Sequence, residues 1–182
     1  MNVLLSTLLL SFSAGTALAY MCDVGKVLVK EVDPNDFLQG PWLAVLLRPS
    51  YFPERYPCWH YDSTLIKKDE ADIKTSVRDA KSGNLFNMTG KAYIENGNIL
   101  NIIFEGNGDF SDRYQVLVWN PKLQYHIAGA CPDSVNNEEM VWVAFRTWKP
   151  DKAAMEAALE DLKKTGQDVK KFAYECPESS NS

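Results

Sequence analysis

The sequence predicts a mainly β fold: an eight-stranded antiparallel up-and-down barrel with one C-terminal α-helix packed against its outside. Three observations predict it. Eight short segments rich in β-branched and aromatic residues follow one another, separated by hairpin-sized turns. Apolar and polar residues alternate within them. A single amphipathic helical stretch appears only after the last of them.

The elements follow in order. Asp33-Pro34-Asn35-Asp36 opens a short helical turn that runs to Gln39, and Pro41 to Leu47 is the first strand. Arg48 to Pro57 carries Pro49, Pro53 and Pro57, so it reads as a long loop. The next strands are Cys58 to Leu65, Asp72 to Ala80, Leu85 to Ile94, Ile99 to Glu105, Arg113 to Trp119, Leu123 to Ala130 and Met140 to Thr147. Lys81-Ser82-Gly83-Asn84, Glu95-Asn96-Gly97-Asn98, Gly106-Asn107-Gly108-Asp109 and Asn120-Pro121-Lys122 supply turn chemistry between them.

The alternation assigns faces. Phe86, Met88, Gly90, Ala92 and Ile94 oppose Asn87, Thr89, Lys91 and Tyr93. Ile73, Thr75 and Val77 oppose Asp72, Lys74, Ser76 and Arg78. One wet face marks an antiparallel sheet packed on one side. Met140 to Thr147 differs, because Val141, Val143 and Phe145 oppose Trp142 and Ala144, and its outer face needs a cover. The helix from Asp151 to Thr165 is the candidate. Its apolar stripe is Met155, Ala158, Leu159 and Leu162, and Glu156, Glu160, Asp161 and Lys164 face away. Meander order without an obvious edge strand points to a closed barrel, which can enclose one small ligand.

Composition bounds the function. The chain has 182 residues, 46% hydrophobic, which is too apolar for disorder and short enough for one domain. A net charge of −5 leaves no broad basic field for nucleic acid. The only two histidines, His60 and His126, are too far apart for a zinc motif, and no C-x-x-C pair exists. No metal and no cofactor is expected. No nucleophile, base and acid converge, so the reading is of a binding protein without catalytic residues.

Met1–Ala19 carries no charge, has an apolar run from Val3 to Phe12, and ends in the small-x-small site Ala17-Leu18-Ala19. It reads as a secretory signal peptide, with residues 20–182 as the mature, extracellular domain and no membrane association. The four cysteines, Cys22, Cys58, Cys131 and Cys176, then imply two disulfides, with three possible connectivities. Asn87-Met88-Thr89 is a glycosylation sequon on the polar face of its strand, which makes Asn87 a candidate acceptor.

Gly40-Pro41-Trp42, opening the first strand after a helical turn, resembles the G-x-W signature of lipocalins, and Arg146 sits where that family places a basic residue across the tryptophan. The resemblance spans nearly the whole mature chain and includes the trailing helix. Gly40, Trp42 and Arg146 would be its structural signature, with the guanidinium on the indole face at the closed end of the barrel. The family's second signature, T-D-Y, is here Val118-Trp119-Asn120. Within the arthropod branch the chain looks like the cockroach lipocalin allergens: Tyr56-Pro57-Cys58-Trp59, Tyr125-His126-Ile127-Ala128-Gly129-Ala130-Cys131-Pro132 and Cys176 fall in similar places.

That resemblance implies the pairing Cys22–Cys131 and Cys58–Cys176, allergenicity, and a ligand such as tyramine or octopamine. His60-Tyr61-Asp62 matches a segment of haem-carrying lipocalins, but it lies one strand earlier than their ligand histidine, and no haem is expected. The cavity wall is expected from Leu46, Tyr61, Ile73, Val77, Phe86, Met88, Leu100, Ile102, Phe104, Tyr114 and Val116, apolar and aromatic with hydroxyl tips. Asp62 and Glu105 are the acidic residues near strand ends, but their parity places them outside. The expectation is a secreted carrier of a small hydrophobic or aromatic ligand, an aromatic monoamine included, acting as a monomer or weak dimer. The alternatives are a pheromone or odorant carrier, and an effector contacting a protein partner through the Arg48 to Pro57 loop.

Overall fold

The computed structural model describes residues 24–49, 54–106, 112–130 and 140–174. The expected leader Met1–Ala19 and the cysteines Cys22, Cys131 and Cys176 lie outside these residues. A four-residue helical turn, α1 (Pro34–Phe37), precedes the first strand, and the Asp33 side chain caps it by accepting from the Asn35 backbone N–H at 3.0 Å. Eight antiparallel strands follow: β1 (Gly40–Leu47), β2 (His60–Lys67), β3 (Glu70–Arg78), β4 (Leu85–Glu95), β5 (Ile99–Phe104), β6 (Asp112–Asn120), β7 (Tyr125–Ala130) and β8 (Met140–Phe145). Each pairs with the next, and β1 pairs with both β8 and β2, so the sheet closes on itself. This is the predicted eight-stranded barrel.

Strand ends differ from the sequence expectation where the backbone leaves the extended region. β2 starts at His60 rather than Cys58, because Cys58 has φ +59°. β7 starts at Tyr125 rather than Leu123, because Gln124 has φ +53° and the Leu123 N–H is taken by Asn120 Oδ1 at 3.0 Å. β3 starts at Glu70 and stops at Arg78, since the Asp79 carboxylate turns back to the Lys81 and Ser82 N–H groups, 2.8 and 3.0 Å away.

The barrel has two apolar layers. The inner one includes Trp42, Trp59, Tyr61, Ile73, Leu100, Ile102 and Trp142. The outer one joins Val141, Val143 and Phe145 of β8 to Ile127, Leu117 and the helix α2 (Lys152–Lys164). The second apolar face of β8 is therefore covered by the helix, as its sequence required. Asp151 caps α2 by accepting from the Ala154 N–H at 2.7 Å, and Thr165 closes it. The buried stripe is Ala154, Ala158 and Leu162, with Met155 and Leu159 at its margins. Asp161 corrects the expectation for the far face: it turns toward the barrel and accepts from Tyr125 Oη at 2.6 Å.

Two features escaped the sequence reading. A 3₁₀ turn at Val169–Lys171 leads into a two-residue strand, β9 (Ala173–Tyr174), which pairs with β1 outside the barrel. Bulges also interrupt β1 between Ala44 and Leu46, and β6 between Val116 and Val118. A bulge inserts one residue and reverses the parity beyond it.

Candidate functional site

The antiparallel order puts the β1–β2, β3–β4, β5–β6 and β7–β8 connections at one end of the barrel, and α1 with the β2–β3, β4–β5 and β6–β7 connections at the other. The α1 end is closed by side chains. Gly40 turns the chain into β1 with φ +84°, a left-handed conformation that favours glycine. Trp42 is fully buried and donates from Nε1 to the Phe37 carbonyl at 2.8 Å. The Arg146 guanidinium carbon lies 3.5 Å from the Trp42 ring centre. Arg146 also donates to the Asp36 carbonyl at 2.6 Å, the Pro41 carbonyl at 3.2 Å and Gln124 Oε1 at 3.2 Å. Phe37, Trp119 and His126 pack round the same indole, with ring centres 5.7, 5.5 and 4.4 Å from it.

Above this floor four aromatic rings share the interior. Trp59 lies 5.7 Å from Tyr61 and 5.4 Å from Trp142, and Tyr114 lies 5.0 Å from Trp142, all between ring centres. Ile73, Val77, Met88, Leu100, Ile102, Phe104 and Val116 complete the same inner cluster, and Phe86 packs against it, only partly buried. The structure thus brings together ten of the eleven expected wall residues. Leu46 is the correction. Trp42 and Ala44 face inward, the bulge adds Val45, and Leu46 turns into the outer cluster under the helix, so Leu47 is inside instead. The sequence reading left out Trp59, although the strand expected from Cys58 gives it the same parity as Tyr61. It also missed Trp142 and His126 as wall residues. β7 and β8 are buried on both faces, so alternation there could not say which face is the lumen.

Polar groups inside are few. Ser63 Oγ donates to the Gly40 carbonyl at 3.0 Å, and Thr75 Oγ1 donates to the His60 carbonyl. Tyr61 Oη, Trp142 Nε1 and both ring nitrogens of His126 are buried with no hydrogen-bond partner. Burial pushes the Tyr61 phenol well above its ordinary pKa and pulls His126 down to about 3, where the Arg146 charge acts in the same direction, so His126 is a neutral imidazole. Asp62 and Glu105 are exposed on the outer face. Asp79 is the only buried carboxylate among the described residues, and it is already engaged.

That engagement fastens the mouth. Asp79 accepts from Arg55 Nε at 2.9 Å, the Ala80 N–H donates to the Arg55 carbonyl at 2.7 Å, and Tyr56 stands edge-on to Phe86, 6.4 Å between ring centres. The Ser82 N–H, and then the Arg55 side chain, hold the Asp79 carboxyl below the usual carboxylate range. The described part of the proline-rich loop therefore reaches across to the β3–β4 turn. His60 faces away from Tyr61 on β2, half-buried, with Nδ1 3.2 Å from the Cys58 carbonyl. Cys58 is disulfide-bonded. Asn87 is exposed on the outer face and accepts from Ser76 Oγ at 2.6 Å. No helix among the described residues is long and apolar enough to cross a membrane.

No family model matches the chain, and no curated protein matches it in sequence. Solved structures do match in shape. Insecticyanin from the tobacco hornworm Manduca sexta superposes with a TM-score of 0.67 at 17% identity, covering 88% of this chain and 88% of that one. The allergen Per a 4 from cockroaches gives 0.64 at 15% identity, covering 82% and 94%. A biogenic amine-binding protein gives 0.63 at 13% identity, covering 82% and 84%. All three are lipocalins, and the fold here is theirs.

Proposed function

We propose that this chain, a lipocalin in fold, is a secreted carrier that holds one small aromatic or hydrophobic molecule inside its barrel. The observation that carries the reading is the group of four rings, Trp59, Tyr61, Tyr114 and Trp142, on the inner wall. Aromatic walls bury a ligand ring by stacking and edge contacts, and apolar burial supplies ~25 cal/mol per Å². The Arg55–Asp79 contact across the mouth would keep water from the bound molecule. Export rests on the leader Met1–Ala19, and an oxidising compartment suits the pairing Cys22–Cys131 and Cys58–Cys176. Residues 20–182 form the single carrier domain, a monomer or weak dimer.

A neutral ligand, of the kind a pheromone or odorant carrier holds, is favoured over a monoamine. A buried ammonium needs a carboxylate or an open aromatic face, and the one buried carboxylate among the described residues is bound to Arg55. The monoamine reading keeps two supports: the same rings offer cation–π faces, and one similar fold is that of a biogenic amine-binding protein.

Titrating the protein with tyramine, octopamine and p-cresol, following tryptophan emission at about pH 7.5 and about pH 4.5, separates the readings. We expect p-cresol to bind most tightly and to change little with pH. Preference for the amines, lost in acid, would restore the monoamine carrier. Binding of none of them would move the function to protein contacts made by the mouth loops.

A further inference from the structure

We infer that Tyr61, His126 and Trp142 form a polar subsite inside the barrel, above the Trp42 floor, that receives an oxygen acceptor, a carbonyl or phenolic oxygen, on an otherwise apolar aromatic ligand. The inference rests on the carrier reading and specifies which end of the ligand enters first.

The three side chains are essentially inaccessible: Tyr61 is 2% exposed, and His126 and Trp142 are 0% exposed. Their rings share the barrel interior. Tyr61 stands opposite Trp42 in the β1–β2 ladder, and His126 meets the same Trp42 at 4.4 Å. Trp142 is 6.5 Å from His126 and is linked to Tyr61 through Trp59. Tyr61 Oη, Trp142 Nε1 and the two His126 nitrogens nevertheless meet no protein partner. Leaving such a group unsatisfied costs about 1–3 kcal/mol each. A barrel merely filled by its own side chains would be more stable with phenylalanine at these positions.

Each of the three groups can donate a hydrogen bond. An indole N–H only donates, a phenol donates or accepts, and a neutral imidazole offers one donor and one acceptor. The positive charge of Arg146 acts on both Tyr61 and His126 from the far side of Trp42. A ligand oxygen finds donors and a favourable potential there. An ammonium would have only the Tyr61 oxygen and one His126 nitrogen as acceptors, in a repulsive potential.

Acetophenone, ethylbenzene and 1-phenylethylamine share one shape and differ in the group presented: carbonyl, methylene and ammonium. Their affinities should be measured for the wild-type protein and for Tyr61→Phe and His126→Phe, with the fold checked by circular dichroism and melting. We expect Tyr61→Phe to weaken acetophenone about fivefold, the value of one neutral hydrogen bond, while ethylbenzene changes less than about twofold. His126→Phe should act in the same direction. Both free variants should melt no lower than wild type, and the amine should bind most weakly throughout. Loss of acetophenone and ethylbenzene affinity by the same factor, an unchanged ratio in both variants, or tightest binding by the amine would overturn the subsite and leave the carrier. Failure of all three probes to bind the wild-type protein would overturn the carrier and the subsite together.

Discussion

The Arg146 guanidinium carbon sits 3.5 Å from the centre of the Trp42 indole, although 105 residues separate Arg146 from Pro41, whose carbonyl it also binds. This contact joins the end of the last barrel strand to the start of the first, where the sheet closes. Three carbonyl or amide oxygens, from Asp36, Pro41 and Gln124, hold the guanidinium in place. Trp42→Ala should therefore destabilise the fold by ~3–5 kcal/mol, and Arg146→Ala by a smaller amount, about 1–2 kcal/mol. Urea denaturation checks both. An unaltered Trp42→Ala midpoint would contradict this placement.

Tyr125 ties the helix to the barrel by donating to Asp161 Oδ2 at 2.6 Å. A hydrogen bond to a charged group contributes about 1.5–3 kcal/mol, so Tyr125→Phe should lower stability by that order. Leu162→Ala, which opens a hole under the helix, should cost ~2–5 kcal/mol. Equal stability of Tyr125→Phe and wild type by the same denaturation would show that the contact contributes nothing.

His126 makes stability depend on pH. Burial, and then the Arg146 charge, pull its folded pKa down to about 3 from the ordinary 6.5. Between these values the unfolded chain binds a proton that the folded one does not, so stability rises with pH. The contribution is complete above about pH 6.5 and falls by about 1.4 kcal/mol per unit as the pH drops below it. Denaturation between about pH 7 and about pH 4.5 should reveal the slope, and His126→Phe should remove it. A slope that persists in that variant would assign it to other groups.

The cysteines and the sequon give covalent predictions. Peptide mapping should link Cys22 to Cys131 and Cys58 to Cys176; a Cys22–Cys58 or Cys131–Cys176 peptide would remove this arrangement. Asn87 points outward, so a glycan there would not enter the barrel. Secreted protein should gain gel mobility after glycosidase treatment, and unchanged mobility would mean that Asn87 is unmodified.

Most of the barrel was legible because an open-faced strand must alternate. β3 and β4 are wet on one side, and every inward residue expected there, Ile73, Val77, Phe86 and Met88, belongs to or packs on the inner cluster. Leu46 was misplaced because a bulge is a backbone event that needs only one extra residue, and Val45 looks like any strand residue. His126 and Trp142 were hidden for another reason. Their strands are covered on both sides, by the lumen contents and by the helix, and burial on both sides erases the pattern that assigns a face. β9, two residues long, carries no periodicity at all.

Tryptophan emission can locate a small aromatic ligand seated among the inner rings. Trp142 lies inside, whereas Trp148 packs against the outer cluster. Titration with p-cresol should quench emission saturably at one ligand per chain. The quenching should survive Trp148→Phe and fall sharply in Trp142→Phe. Quenching that is lost with Trp148 and kept without Trp142 would place the ligand outside the barrel.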